Sequence, residues 1–132
     1  MKEEKAIDSE IKSKLIDSSV WITYIVSRKY IEIIDSEETL FLSVLSLFEI
    51  KKRFIKDKIP KIKIEENLRF IKERSILINI TTEIAEKASE LSAEKNIPAI
   101  DSLIYTTAIL NKAVLLTLDN DFRNLENAII LD

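Results

Sequence analysis

Five short apolar runs separated by longer amphipathic stretches constrain this chain more than any other feature of its sequence. The runs are Leu15-Ile16, TLFLSV (39–44), ILINI (76–80), AVLLT (113–117) and AIIL (128–131). Between them, SVWITYIVSRKYIEII (19–34) has helical spacing, with Trp21, Ile22, Ile25 and Val26 expected on one face. LSLFEIKKRFIK (45–56) repeats apolar positions at Leu47, Ile50, Phe54 and Ile55, and KIEENLRFIKE (63–73) reads as a further helix after Pro60. TTEIAEKASELSAEKN (81–96) opens with Thr82 as the expected N-cap and then presents Ile84, Ala88 and Leu91. PAIDSLIYTTAILN (98–111) begins with Pro98 near the first helical turn, where a missing N–H costs nothing. Strands that alternate with helices need crossover connections, and these cover both faces of a parallel sheet. The expectation is an α/β fold: one three-layer α/β/α domain over residues 14–132, preceded by an N-terminal extension of residues 1–13.

Missing residue types narrow the chemistry. The chain has no glycine, which excludes both the glycine-rich dinucleotide fingerprint and the P-loop. Without cysteine there is no disulfide framework, thiolate nucleophile or zinc ribbon. Without histidine the usual general base and transition-metal ligand are absent. Chemistry is left to carboxylates, hydroxyls, lysine, arginine or a bound ion. The start, MKEEKAIDSEIKSK, is too charged for a signal peptide, and the longest apolar run, LFLSVLSLF (40–48), is too short to span a bilayer. A cytoplasmic protein with no membrane contact is expected.

In open α/β sheets, sites form outside the carboxyl ends of the strands. That rule singles out Asp17 after the first run, in KLIDSS, and Asp119 and Asp121 after the fourth, in LLTLDND. Two more acids belong to helices. Asp101 shares a face with Ile104, Tyr105 and Ala108, where a carboxylate is costly unless it is paired or faces a site. It also lies in a first helical turn, where an acid is favoured without any function. Glu49 sits at the edge of an apolar face and could equally form an i,i+4 pair with Arg53. Singly, each acid is ordinary. Together, four separated segments deliver carboxylates to one edge, where like charges raise one another's pKa. A divalent cation is the simplest remedy, and oxygen-only ligands suit Mg²⁺ or Mn²⁺.

LIDSSVWI, SVLSLFEI, IPAIDSLIYTTAI and LLTLDNDF, in that order and spacing, resemble the PIN domain, and most closely the single-domain ribonuclease toxins of VapBC toxin–antitoxin pairs. The resemblance extends from about Lys14 to Leu131 and implies a parallel sheet ordered 3-2-1-4-5. It implies that Asp17, Glu49, Asp101 and Asp119 form an acidic quartet that holds Mg²⁺ or Mn²⁺, with the ion activating water for phosphodiester hydrolysis of RNA. Asp121 matches a further acid near that site, and Ser19 and Thr117 match hydroxyl residues that orient carboxylates or waters. It also implies a homodimer and a small VapB-like antitoxin whose tail occupies the acidic cleft. Two departures stand out. Lys51-Lys52-Arg53 lies where relatives commonly carry glycine, and Asn111-Lys112 precedes the fourth strand where a glycine is frequent.

RNA binding needs positive charge, yet the net charge is −3. The local exception is KKRFIKDKIPKIK (51–63), where Lys51, Lys52 and Arg53 are candidate RNA contacts, although a solvated lysine-rich face accounts for them equally well. Tyr24, Phe54 and Phe70 are candidates for a partner contact and, more simply, for core. Three rival readings remain. A phosphoacceptor receiver domain needs paired acids at its first strand and a lysine after its last, and the chain has neither. A haloacid-dehalogenase-type phosphatase needs an Asp-x-Asp at its first strand, whereas Asp119-x-Asp121 comes late. The non-enzymatic alternative is a catalytically weak PIN-like binding module.

Overall fold

The computed structural model describes residues 13–132. Five strands are present: β1 (Ser13–Ile16), β2 (Leu40–Ser43), β3 (Ile76–Ile78), β4 (Ala113–Thr117) and β5 (Ala128–Ile130). All pairings are parallel, and the order is β3-β2-β1-β4-β5, as expected. The helices are α1 (Ser18–Ser27), α2 (Ile31–Ile34), α3 (Val44–Lys56), α4 (Lys61–Arg74), α5 (Thr82–Lys95) and α6 (Ala99–Leu110), and a 3₁₀ turn covers Asn120–Phe122. Of the expected N-terminal extension, only Ser13 falls among the described residues, and it opens β1.

Two cores cover the two faces of the sheet. On one, Ile16, Leu42 and Leu116 of the strands meet Val20, Trp21, Ile34, Ile50, Phe54 and Ile71 from α1 to α4. On the other, Leu15, Ala113 and Leu115 meet Ile104, Tyr105 and Ala108 of α6, with Leu91 of α5 packed alongside. Neighbouring residues of one strand, Leu15 and Ile16, thus serve opposite cores, as the period of two requires. Burial of both faces explains why the strand runs read as nearly continuous apolar segments.

Three expectations need correction. The single helix over residues 19–34 is two, because Arg28 (φ 62°) and Tyr30 (φ 67°) take left-handed backbone and the Arg28 N–H closes on the Tyr24 carbonyl. Its buried face is Val20, Trp21 and Tyr24, whereas Val26 is exposed. The N-cap of α5 is Thr81, not Thr82: Thr81 is extended, and its hydroxyl accepts from Ile84 N at 3.1 Å. Of the candidate contact aromatics, Phe54 and Tyr24 are core, while Phe70 is partly exposed and stacks on Tyr24. No helix among the described residues is long and apolar enough to cross a membrane.

Candidate metal centre

Register at the centre of the sheet builds the site. β1 and β4 pair Leu15 with Leu115 and Ile16 with Leu116, so one residue further on Asp17 lies beside Thr117. Asp17 is buried at 5% exposure and its Oδ2 accepts two hydroxyls, Thr117 Oγ1 at 2.7 Å and Ser19 Oγ at 3.0 Å. Each hydroxyl in turn accepts a backbone N–H from the chain leaving β4: Leu118 N reaches Ser19 Oγ and Asp119 N reaches Thr117 Oγ1, both at 3.0 Å. The two hydroxyls therefore lock the β4 exit onto the β1 carboxylate. Both also bond the same carboxylate oxygen, so neither engages Oδ1.

The other acids arrive from three directions. Because α3 starts directly after β2, its second turn stays near the carboxyl edge and brings Glu49 to the site. Glu49 Oε1 accepts the Ser18 hydroxyl at 3.0 Å across 31 residues of sequence. The surface pair with Arg53 does not form, since Arg53 Nε bonds Asp57 Oδ2 at 3.0 Å instead. α6 ends just before β4 begins, so it runs antiparallel to that strand and its first turn, carrying Asp101, lies at the same edge. Asp119 Oδ1 accepts Asp121 N at 2.9 Å, which caps the 3₁₀ turn and folds Asp121 back toward Asp119.

Carboxylate oxygens of Asp101, Asp119 and Asp121 lie within 4.8 Å of one another, the only such triplet among the described residues. Asp121 is the exposed member of this triplet. Asp101 is pushed from its ordinary 3.8 up to about 6, first by burial and then by repulsion from Asp119, Asp121, Asp17 and Glu49. Burial raises the Asp17 carboxyl, and the Thr117 and Ser19 hydroxyls and the Ser18 N–H partly offset it. Glu49 is raised by burial, with Ser18 and Lys52 opposing. The donor set is all oxygen and strongly negative, which fits a hard divalent cation such as Mg²⁺ or Mn²⁺ and disfavours soft metals.

A model of the PIN domain family matches residues 14–128. The chain belongs to the PIN-domain family. Among solved structures, this PIN domain aligns with a toxin–antitoxin complex from Klebsiella pneumoniae at TM-score 0.76 and 22% identity, covering 89% of this chain and 96% of that one. VapBC2 from Rickettsia felis, bound to a DNA fragment from its promoter, gives TM-score 0.74 and 21% identity, with coverages of 89% and 96%. VapC20 from Mycobacterium tuberculosis, a sarcin–ricin loop cleaving toxin, gives TM-score 0.63 and 13% identity, covering 83% and 92%. At such identities the likeness establishes the fold. No curated protein matches the sequence.

A surface groove of the PIN domain lies not over the carboxylates but along the outer side of α3. It encloses about 500 Å³ and is lined by Val44, Leu47, Phe48 and Ile55, with Lys51, Lys52 and Lys56 around it. Lys51 and Lys52 are exposed there, and Lys52 also faces Glu49 electrostatically. Sequence reasoning missed this groove because Leu47 and Ile55 read as part of one buried helix face, whereas Ile55 is exposed. It also missed Ser18, whose only signal was a hydroxyl directly after the first aspartate.

Proposed function

We propose that this PIN domain is a metal-dependent endoribonuclease, the toxin of a type II toxin–antitoxin pair. The observation that supports the reading is the group of Asp101, Asp119 and Asp121 carboxylates within 4.8 Å of one another, next to Asp17, which is seated by two hydroxyls that also bond the β4 exit. In this reading the four acids hold Mg²⁺ or Mn²⁺, with Asp121 close enough to share in ligation. When bound, such an ion supplies Lewis-acid activation of water and neutralises charge on the leaving oxygen of a phosphodiester. Ser19 and Thr117 fix which oxygen of Asp17 is committed inside the protein. Lys51 and Lys52 supply positive charge next to the cleft for a phosphate backbone, whereas Arg53 is engaged by Asp57.

Solved toxin–antitoxin complexes with the same fold support a small VapB-like partner for this chain. The α3 groove, apolar inside and lysine-rimmed, suits an amphipathic antitoxin segment that carries acids at its margins. A homodimer and a cytoplasmic setting belong to the same reading. The test is incubation of the purified protein with a cellular RNA pool, with Mn²⁺, with Mg²⁺ and with EDTA, followed by mapping of cleavage ends. Discrete ends that require metal and vanish in Asp17→Asn are expected. Cleavage that persists in Asp17→Asn overturns the assignment, and absence of cleavage under all conditions favours a binding module.

A further inference from the structure

Each acid at this edge is held by a different device, and the device holding Glu49 is Ser18. Glutamate has three rotatable torsions, so a ligating glutamate on an open helix face loses more freedom on binding than an aspartate fixed at a strand end. Asp17 already has two hydroxyl donors on one oxygen, and Asp119 is committed to the N–H of Asp121. Glu49 is the sixth residue of α3 and is carried by a helix rather than by a strand end. Its i,i+4 neighbour Arg53 turns to Asp57 and leaves it unrestrained from its own helix.

Ser18 is well placed to supply that restraint. It is the first residue of α1, and its backbone is fixed because the Asp17 carbonyl accepts the N–H groups of Val20 and Trp21. A serine there has a single side-chain torsion, so its hydroxyl is a short peg projecting from a rigid turn. The peg meets Glu49 Oε1 at 3.0 Å, and the residue that carries it directly follows Asp17 in the chain. Ser18 thus links the acid that ends β1 to the acid on α3, two elements whose Ile16, Ile50 and Phe54 also share one core.

We propose that Ser18 is a positioning residue that sets the Glu49 carboxylate for divalent-metal binding by committing its Oε1 to the start of α1. The inference rests on the metal-nuclease reading above and adds a residue to it. Hydrogen-bond partners of metal-ligating groups change affinity by about 10- to 100-fold when removed. Ser18 is partly exposed, so the lower end of that range applies.

Mn²⁺ affinity, read by electron paramagnetic resonance of the free ion with no RNA present, tests it. Ser18→Ala should bind Mn²⁺ about 10-fold more weakly than the wild type, and Ser18→Thr, which keeps the hydroxyl, should bind within about twofold of it. In EDTA the three proteins should unfold at similar urea concentrations, because the lost bond is to a carboxylate that is only half-buried and can turn to water. If the wild type binds Mn²⁺ and Ser18→Ala binds it equally well, Ser18 has no positioning role while the metal reading survives. Equal weakening by Ala and Thr also overturns the proposal, since it would trace to backbone or packing and not to the hydroxyl. If the wild type itself does not bind Mn²⁺, the metal reading fails and this inference falls with it.

Discussion

Replacing Asp101 by asparagine should stabilise the metal-free protein at neutral pH while weakening its hold on a cation. The carboxyl of Asp101 is pushed from 3.8 up to about 6, by burial first and by four neighbouring carboxylates after it. An acid whose pKa is raised on folding binds protons more readily in the native state. Its penalty is therefore absent below the unfolded value, grows as pH rises from 3.8 through about 6, and is fully present above that. A displacement of this size would correspond to about 3 kcal/mol if realised in full. Asp101 is only partly buried, and solvent screening reduces the figure to about 1 kcal/mol. Asparagine carries no charge at any pH. In EDTA at about pH 7.5 the variant should be more stable than the wild type by about 1 kcal/mol, and near pH 3.5 the gap should close. Saturating Mn²⁺ reverses the order, since a ligand at 100 times its dissociation constant adds about 2.7 kcal/mol to the protein that binds it. Urea unfolding followed by the fluorescence of Trp21, the single tryptophan, reads all three conditions. The reasoning fails if asparagine destabilises the metal-free protein at neutral pH, or if the gap is the same at both pH values.

The remaining predictions concern separate parts of the molecule. Arg74 donates to the carbonyls of Ile34, Ser36 and Glu38, so Arg74→Ala should cost about 2–3 kcal/mol in urea unfolding. Arg74→Lys should recover less than half of that, because an ammonium cannot reproduce the planar fork. Thr117→Val keeps the shape but removes the donor to Asp17 and the acceptor for Asp119 N, and should weaken Mn²⁺ binding about 10-fold by resonance titration. Lys112 sits at φ 55° before β4, and Lys112→Gly should raise stability by about 0.5–1 kcal/mol in the same urea assay. Lys51→Ala with Lys52→Ala should weaken RNA binding and flatten its salt dependence, whereas Phe48→Ala should leave the salt slope unchanged.

Strand identity was legible because the central strands are buried on both faces and read as runs of apolar residues, whereas the strand order came from the resemblance to the PIN domain. Asp17, Asp119 and Asp101 were legible for a related reason: a carboxylate that ends an apolar run or interrupts an apolar helix stripe is conspicuous. Helix ends were harder to read. Seven residues take left-handed backbone among those described, and none is glycine, so the break at Arg28 and Tyr30 carried no punctuation. The choice between Thr81 and Thr82 as cap turns on one torsion that adjacent threonines leave open. Ser18 could not be found by spacing, because its partner is 31 residues away and the bond exists only once α1 packs on α3. Asp121 joins the triplet because its own N–H caps onto Asp119, a consequence of turn geometry and not of pattern.

A net charge of −3 sits uneasily with the polyanionic substrate proposed above, and on that reading α3 resolves the tension locally. Within two turns this helix turns Glu49 toward the carboxylate edge and Lys51, Lys52 and Lys56 outward, so the negative centre is bordered by a positive band. A Debye length of about 8 Å at physiological salt keeps that band effective beside the cleft while it hides the distant acids of the other helices. The same lysines ring the apolar groove whose floor is Leu47, Phe48 and Ile55. An antitoxin segment that buried this floor would also cover the band, because no lysine of the rim lies more than a turn from a floor residue. On the proposed reading, therefore, inhibition needs no change in the metal centre. Covering one face of α3 would withdraw the positive charge that lets RNA approach an otherwise repulsive site, and the apolar floor would supply the affinity to do so.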